Sequence, residues 1–414
     1  MTTHDVIVIG ARVGGAATAL LLARRGFRVL LVDRAAIGSD TLSTHQVQLP
    51  GVALLKRWGL LDRITASGAA ATTHVRFDTG GVVLDGRYPR HDGVDALYSP
   101  RRTVLDALLV EAAQAAGVDV RDRFTVDDLV WTDGRVCGIR GSTRGGIAST
   151  ETARLVVGAD GKHSTVAAAV RAGRYRERPA RSVASYSYFA GVPMRAGELY
   201  QRPDRAVAVF PTNDDLTMVY VAAPIAEFGA LRSDLEAAFL RTLDDCGDLG
   251  DRVRAGVRVE RLRTTPDLPN VFRVPYGPGW ALVGDAGLVM DPMTGQGIGN
   301  ALRDAAGLVD AVASGLGDER RLRAALARHH RDRDRAIGPM YDLTMRISAF
   351  RAPSAPTRRL YAALAGNPEE TSRFLGMLAG VVPVREYLSM RNVLRIVLGS
   401  RHASTRTADV AGAR

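Results

Sequence analysis

The strongest constraint on this chain lies in its first 33 residues. DVIVIG at 5–10 is a short apolar, β-rich run that stops at glycine. AATALLLARR at 16–25 has helical composition, and RVLLV at 28–32 is a second β-run ending at Asp33. This is a βαβ unit beginning almost at the first residue. Its turn, Gly10-Ala11-Arg12-Val13-Gly14-Gly15, supplies the tight bend, close backbone approach and exposed helix-start amides that a dinucleotide pyrophosphate requires. Asp33 stands where an adenosine ribose needs an acceptor. Arg12 occupies the middle-glycine position, so its side chain must turn away from the phosphates or offset the crowding with its own charge. A glycine-rich turn alone is equally well explained by loop geometry; strand, helix and ribose acid together point to a dinucleotide.

The 414 residues allow two or three structural units, and 46% hydrophobic against 24% charged residues excludes disorder. Two cysteines, Cys137 and Cys246, exclude a disulfide scaffold and read as small buried hydrophobes in a reducing compartment. No metal site is expected. The net charge of +11 comes almost wholly from arginines scattered among acids, since Lys56 and Lys162 are the two lysines. Without a nucleic-acid-binding motif, that pattern favours anionic small molecules over nucleic acid. No apolar run reaches the roughly 18 residues needed to span a bilayer, and MTTHDVIVIG lacks the plan of a signal peptide. The expectation is a soluble, cytoplasmic protein, monomer or homodimer.

Farther along, 103–116 reads as a helix, and Asp133-Gly134 marks a hairpin. LVVGADGKHSTV at 155–166 is a strand running into a second glycine-acid cluster. From 176 to 271, aromatic and β-branched runs alternate with polar turns, predicting an antiparallel sheet inserted into the α/β unit. The α/β texture returns at 280–314, with a helix from about 300. An Arg/Asp-rich helix follows at 318–336, then a break at 351–357, helices to about 399 and a frayed tail. The predicted fold is α/β: a Rossmann-like FAD-type domain (1–75, 100–175 and 272–345), a mainly antiparallel substrate-binding sheet domain (76–99 and 176–271), a C-terminal helical region (346–400) and a flexible tail (401–414).

The third cluster is the most specific. Trp280-Ala-Leu-Val-Gly284-Asp285 is a strand ending in an acid, and Asp291-Pro292-Met-Thr-Gly295-Gln-Gly297-Ile298-Gly299 is a loop feeding a helix. A strand-end acid can accept hydroxyls of a polyol chain, and helix-start amides can stabilise negative charge on a ring beyond it. A reduced flavin needs both.

Taken in order, the N-terminal glycine turn, Gly158-Ala159-Asp160-Gly161, and Gly284-Asp285 with Pro292 and Gly295-Gln296-Gly297 resemble the single-component class A flavoprotein monooxygenases of the para-hydroxybenzoate hydroxylase fold. The wider superfamily includes geranylgeranyl reductases and flavin-dependent halogenases. The resemblance spans about residues 5–345 and constrains the cofactor more tightly than the reaction. It implies non-covalent FAD, with Gly10, Arg12, Gly14 and Gly15 at the ADP half and Asp33 and Arg34 at the adenosine ribose. It places Val126 against the adenine, Asp160 near the pyrophosphate, Gly284 and Asp285 at the ribityl chain, and Gly295, Gly297 and Ile298 near the ring. Arg102, in an R-x-x-L-D helix start, is implied as a phosphate or ribityl partner, and Thr44 and His45 as reaching the flavin side, His45 not as a catalytic base. No acid–base triad is expected, and the catalytic residues stay unassigned.

The reaction so implied is hydroxylation of an aromatic or polycyclic molecule by O2 through a flavin hydroperoxide, with NADPH or NADH as transient reductant. Tyr188, Phe210, Tyr220 and Pro292 are the candidate substrate walls. The alternatives are a reductase acting on carbon–carbon double bonds, as geranylgeranyl reductases do, and a non-catalytic flavin-binding regulator. A halogenase is disfavoured because Trp58, Trp131 and Trp280 are solitary and neither lysine suits that family's pattern.

Overall fold

The computed structural model describes residues 4–399, apart from 144 and 147. The expected tail at 401–414 lies outside the described residues.

Five parallel strands form the central sheet, in the order Trp280–Leu282, Ser149–Gly158, His4–Ile9, Val29–Val32 and Asp119–Arg121. Their side chains alternate between two covered faces. Val6, Val8, Leu31 and Val157 point into the main core, beneath the helices Val13–Ala23, Arg102–Ala115 and Gly297–Gly315. Ile7, Ile9, Leu30, Val32 and Val156 point the other way, against Phe124, Leu129 and Ile139 of the hairpin Phe124–Thr132/Arg135–Thr143. The predicted turn at Asp133-Gly134 joins that hairpin's strands.

The register decides where a ligand can sit. Ile9 lies beside both Gly158 and Val32, and Gly158 beside Leu282. All three glycine-acid segments therefore leave the sheet at its carboxyl edge, where open α/β sheets take their ligands.

A second sheet runs Val257–Arg258, Ser182–Ala190, Leu216–Pro224, Arg205–Pro211, Gly197–Arg202, His74–Asp78 and Val83–Arg87, antiparallel except between Gly197–Arg202 and His74–Asp78. One face packs on the helices Leu235–Asp244 and Leu249–Ala255 through Val209, Val219, Val221, Phe239 and Leu243. These helices are absent from the strand-and-turn reading of 176–271, because their short amphipathic patterns sit among arginines and acids. The opposite face carries Tyr186, Tyr188, Phe210 and Tyr220 and turns toward the loop at 291–299.

Two other boundaries differ from expectation. The helix expected from 300 begins at Gly297, since the glycines at 297 and 299 lower its helical signal without preventing the turn. The helix expected to end at 336 runs from Glu319 to Ile347 through Pro339. Buried Ile337, Met340, Tyr341, Leu343 and Thr344 hold it there despite the hydrogen bond that proline removes. Beyond it, helices Ala355–Ala365, Pro368–Leu378 and Val384–Tyr387 join the main core through Leu360, Leu364, Phe374 and Tyr387. Among the described residues no helix is long and apolar enough to cross a membrane.

Candidate functional site: a cleft where three glycine-acid segments meet

Gly10 leaves the first strand with φ +104°, a backbone conformation open to glycine, and a Cβ there would lie 2.4 Å from the Ala159 carbonyl oxygen. A Cβ on Gly15 would lie 1.7 Å from the Gly10 carbonyl oxygen, so the helix Val13–Ala23 can press its start into the turn only with glycine there. Gly14 faces Gly284, each within 4.0 Å of where the other's Cβ would be. The first and third segments, some 270 residues apart in sequence, are thus neighbours.

Asp33 Oδ2 accepts the Ala11 amide at 2.6 Å and Oδ1 the Ala35 amide at 2.8 Å, which sets the acid beside the turn. Arg34 is exposed next to it. The Phe124 amide donates to the Asp33 carbonyl oxygen, bringing half-buried Val126 to within two residues of this end.

The Arg12 guanidinium turns away from the glycine turn. It donates to Asp106 Oδ2 at 3.0 Å and to the Ser39 carbonyl oxygen at 3.2 Å, leaving the Arg12 backbone as what faces a phosphate. Arg102 grips the same carboxylate with contacts of 2.9–3.1 Å. Burial raises the Asp106 pKa, and the two guanidiniums oppose it. Asp160 is likewise committed. Its oxygens accept from the hydroxyls of Ser164 and Thr165 and the amides of Thr165 and Val166, capping the helix Thr165–Ala169.

Asp285 is different. Its carboxylate is open to solvent and accepts no hydrogen bond among the described residues, yet protein surrounds it closely enough that desolvation raises its pKa. That combination belongs to the wall of a cleft. Arg102, Lys162 and Arg273 act on it in the opposite sense. Arg273, which motif reading overlooks, braces the turn by donating to the Asp285 and Ala286 carbonyl oxygens at 3.2 and 2.9 Å. Asp304, also overlooked, accepts the Gly284 amide at 2.8 Å from one turn inside the helix Gly297–Gly315. Gly284, Asp285, Gly297, Asn300 and Asp304 line a single recess of about 310 Å³. Gly297 is exposed at the start of its helix, whose first amides lack partners within the helix, and Ile298 beside it is buried. Gly295 lies against the amide side chains of Gln46 and Gln48.

His45 is buried with a left-handed backbone, φ +41°. Its Nδ1 lies 3.0 Å from the Ser99 carbonyl oxygen, an acceptor only, so Nδ1 carries the proton and Nε2 accepts the Tyr188 hydroxyl at 2.9 Å. Burial pushes its pKa down to about 3, keeping the ring neutral. Thr44 is half-buried beside it. The Arg101 guanidinium sits 4.3 Å over the Tyr188 ring and pairs with Glu260. Phe210 and Tyr220 lie on the same sheet face as Tyr188, and half-buried Pro292 precedes Met293, which packs against that face.

The residues at the cleft fit an extended dinucleotide: a glycine turn at a helix start, an acid at the ribose position, and an unengaged carboxylate and a second helix start at the far end. Comparison with known proteins gives the same answer. Residues 3–342 match the FAD binding domain family. The chain is 25% identical over 322 residues to tryptophan 2-halogenase of Chondromyces crocatus, covering 73% of this chain and only 60% of that protein's length. It is 27% identical over 355 residues to a digeranylgeranylglycerophospholipid reductase of Methanocella arvoryzae, covering 83% and 86%. It is 30% identical over 331 residues to kynurenine 3-monooxygenase of Salinispora arenicola, covering 72% and 70%. The chain belongs to the FAD binding domain family and is an FAD-dependent enzyme of the oxidoreductase and monooxygenase superfamily.

Proposed function

We propose that the protein is an FAD-dependent monooxygenase that draws electrons from NADPH or NADH and uses O2 to hydroxylate an aromatic or polycyclic small molecule. The observation that carries this reading is the sheet face bearing Tyr186, Tyr188, Phe210 and Tyr220, which packs against Met293 of the glycine-rich loop while the opposite face is given to helices. A buried aromatic wall beside that loop suits a chamber from which water must be excluded. The similarity to kynurenine 3-monooxygenase supports the same reaction class.

When bound, FAD supplies electron storage and oxygen activation. The chain's part is to bind, orient and keep dry. The turn at Gly10, Gly14 and Gly15, with the Arg12 backbone, receives the pyrophosphate at a helix start. Asp33 accepts ribose hydroxyls, with Arg34 outside and Val126 toward the adenine. Arg102 and the Asp160 turn flank the phosphates. Asp285 accepts from the ribityl chain, held by Gly284. The amides at Gly297 and Ile298, with Gly295 before them, favour negative charge on the ring. Thr44 and neutral His45 close the opposite side, and His45 acts as an acceptor for Tyr188. Halogenation fits less well, since Lys56 Nζ donates to the Gly93 carbonyl oxygen at 2.8 Å and Lys162 Nζ pairs with Asp267 at 3.0 Å, so both amines are engaged elsewhere.

The second reading, a reductase of carbon–carbon double bonds, is favoured by the longer match to the digeranylgeranylglycerophospholipid reductase. An absorbance spectrum followed by product mass analysis under air and under nitrogen separates the two. A yellow protein whose product gains one oxygen in air alone supports the monooxygenase. A product gaining two hydrogens under nitrogen supports the reductase. A colourless protein that refuses added FAD overturns both.

A further inference from the structure

The sheet face opposite Met293 has a layout that a packed core does not require. The register sets Tyr186, Tyr220 and Ala208 side by side in one row, and Tyr188, Met218 and Phe210 in the row beside it. On the other side of the tyrosine row lie three alanines in register, Ala184, Ala222 and Ala206. A stripe of small residues between large ones leaves depth. A second observation gives that depth a chemistry: the Tyr220 hydroxyl is buried, in a residue 4% exposed, and has no hydrogen-bond partner. Its nearest charged neighbour, Asp291, is already taken by the Ser182 hydroxyl and the Met293 amide. A buried hydroxyl left unbonded is costly, and it persists where something else completes it.

The charges at the border of this face are also engaged. Arg101 pairs with Glu260, and Arg263 binds Asp40 at 2.6 Å and Glu260 at 3.0 Å. Only Arg263 Nε lacks an acceptor. No cation is left to neutralise a carboxylate brought against the alanine row.

We propose that the alanine row and the Tyr220 hydroxyl form the seat for an uncharged, planar aromatic molecule whose oxygen substituent, a phenol or a carbonyl, bonds that hydroxyl. This rests on the reading of the face as the substrate side of a flavin site. Tyr220 sets specificity by rejecting flat molecules without the oxygen, because they leave its hydroxyl unpaired. The balance of engaged charges rejects their carboxylates.

The test uses the full-length holoprotein and three probes of one shape: 2-naphthol, naphthalene and 2-naphthoate. Binding is read by quenching of tryptophan fluorescence, with flavin content and its reduction by NADPH or NADH measured on the same preparation. Naphthol is expected to bind about tenfold more tightly than naphthalene, the worth of one hydrogen bond to a buried group, and naphthoate more weakly than either. Tyr220→Phe abolishes the naphthol preference, and Ala222→Leu weakens naphthol at least about tenfold by filling the row, both with flavin content unchanged. Naphthoate binding as tightly as naphthol would place the ligand on Arg263 and overturn the proposal. So would a preference that survives Tyr220→Phe, or a flavin-replete protein that binds none of the probes. Loss of flavin, by contrast, counts against the cofactor reading, while the probe preference still decides this one.

Discussion

The Asp304 carboxylate accepts the backbone amide of Gly284 at 2.8 Å, tying the helix after the glycine-rich loop to the strand-end turn that carries Asp285. Asp304 is 3% exposed, and His329 Nε2 stands 3.0 Å from its other oxygen. The bond holds the turn without touching a ligand, so Asp304 is a positioning residue. Asp304→Ala leaves the Gly284 amide unpaired. It should lower stability by about 1–3 kcal/mol and, once refolded below its lowered melting point, raise the FAD dissociation constant. Asp304→Asn keeps an acceptor oxygen and should recover most of the FAD affinity. Equal FAD affinity in all three proteins, by titration of apoprotein, would remove the positioning role.

Asp285 should behave in the opposite way. Its carboxylate accepts nothing among the described residues and suffers desolvation, so Asp285→Ala removes no internal bond. The apoprotein should melt no lower than wild type, while the variant purifies with much less FAD. Undiminished flavin absorbance per polypeptide would contradict the assignment of this carboxylate to the ribityl chain.

These two acids show what the sequence could and could not disclose. Asp285 was legible because a strand-end acid followed by a glycine-rich helix start is a local pattern. So were Gly10, Gly15 and Asp33, whose roles follow from backbone geometry within one βαβ unit. The role of Asp304 depends on a partner 20 residues away across a turn, and that of Arg273 on carbonyl oxygens that no side-chain pattern encodes. The pairing of His45 with Tyr188 joins residues 143 apart. The direction of Arg12 was left open between two choices, because the deciding partner, Asp106, arrives from a different helix. Helix continuation through Pro339 was hidden for a related reason: burial of neighbours outweighs a local breaker.

Arg12 can be tested on that basis. Its guanidinium is half of the pairing around a carboxylate that is almost wholly buried, and Arg102 is the other half. Arg12→Ala should cost about 1–2 kcal/mol of stability, less than full loss of a buried pair because Arg102 remains bidentate. FAD content should stay near wild type, since the side chain faces away from the turn. A variant of unchanged stability that loses its FAD would show that the guanidinium serves the phosphates after all.

Tyr220→Phe removes a buried hydroxyl that has no partner in the protein alone. In the absence of any aromatic ligand the variant should be about 1 kcal/mol more stable, since the desolvation cost goes with the oxygen. Urea unfolding of the two holoproteins measures this. A loss of stability would mean that the hydroxyl is satisfied in solution, and would weaken the case for a ligand completing it.

His45 gives the pH dependence a sign. Its pKa in the folded protein is pushed down to about 3 from 6.5, chiefly by burial. Below about pH 6.5 the unfolded chain therefore binds a proton that the folded protein refuses, and stability falls as pH drops through this window toward 3. The slope approaches about 1.4 kcal/mol per pH unit once the unfolded imidazole is fully protonated. Other groups titrate in the same range, so the comparison is with His45→Asn, whose side chain tolerates the left-handed backbone at this position. The stability difference between wild type and variant should shift against wild type by roughly 2 kcal/mol between about pH 7 and pH 5. Parallel curves over that interval would mean that the imidazole takes up its proton in the folded state and that the bonds to Ser99 and Tyr188 rearrange to allow it.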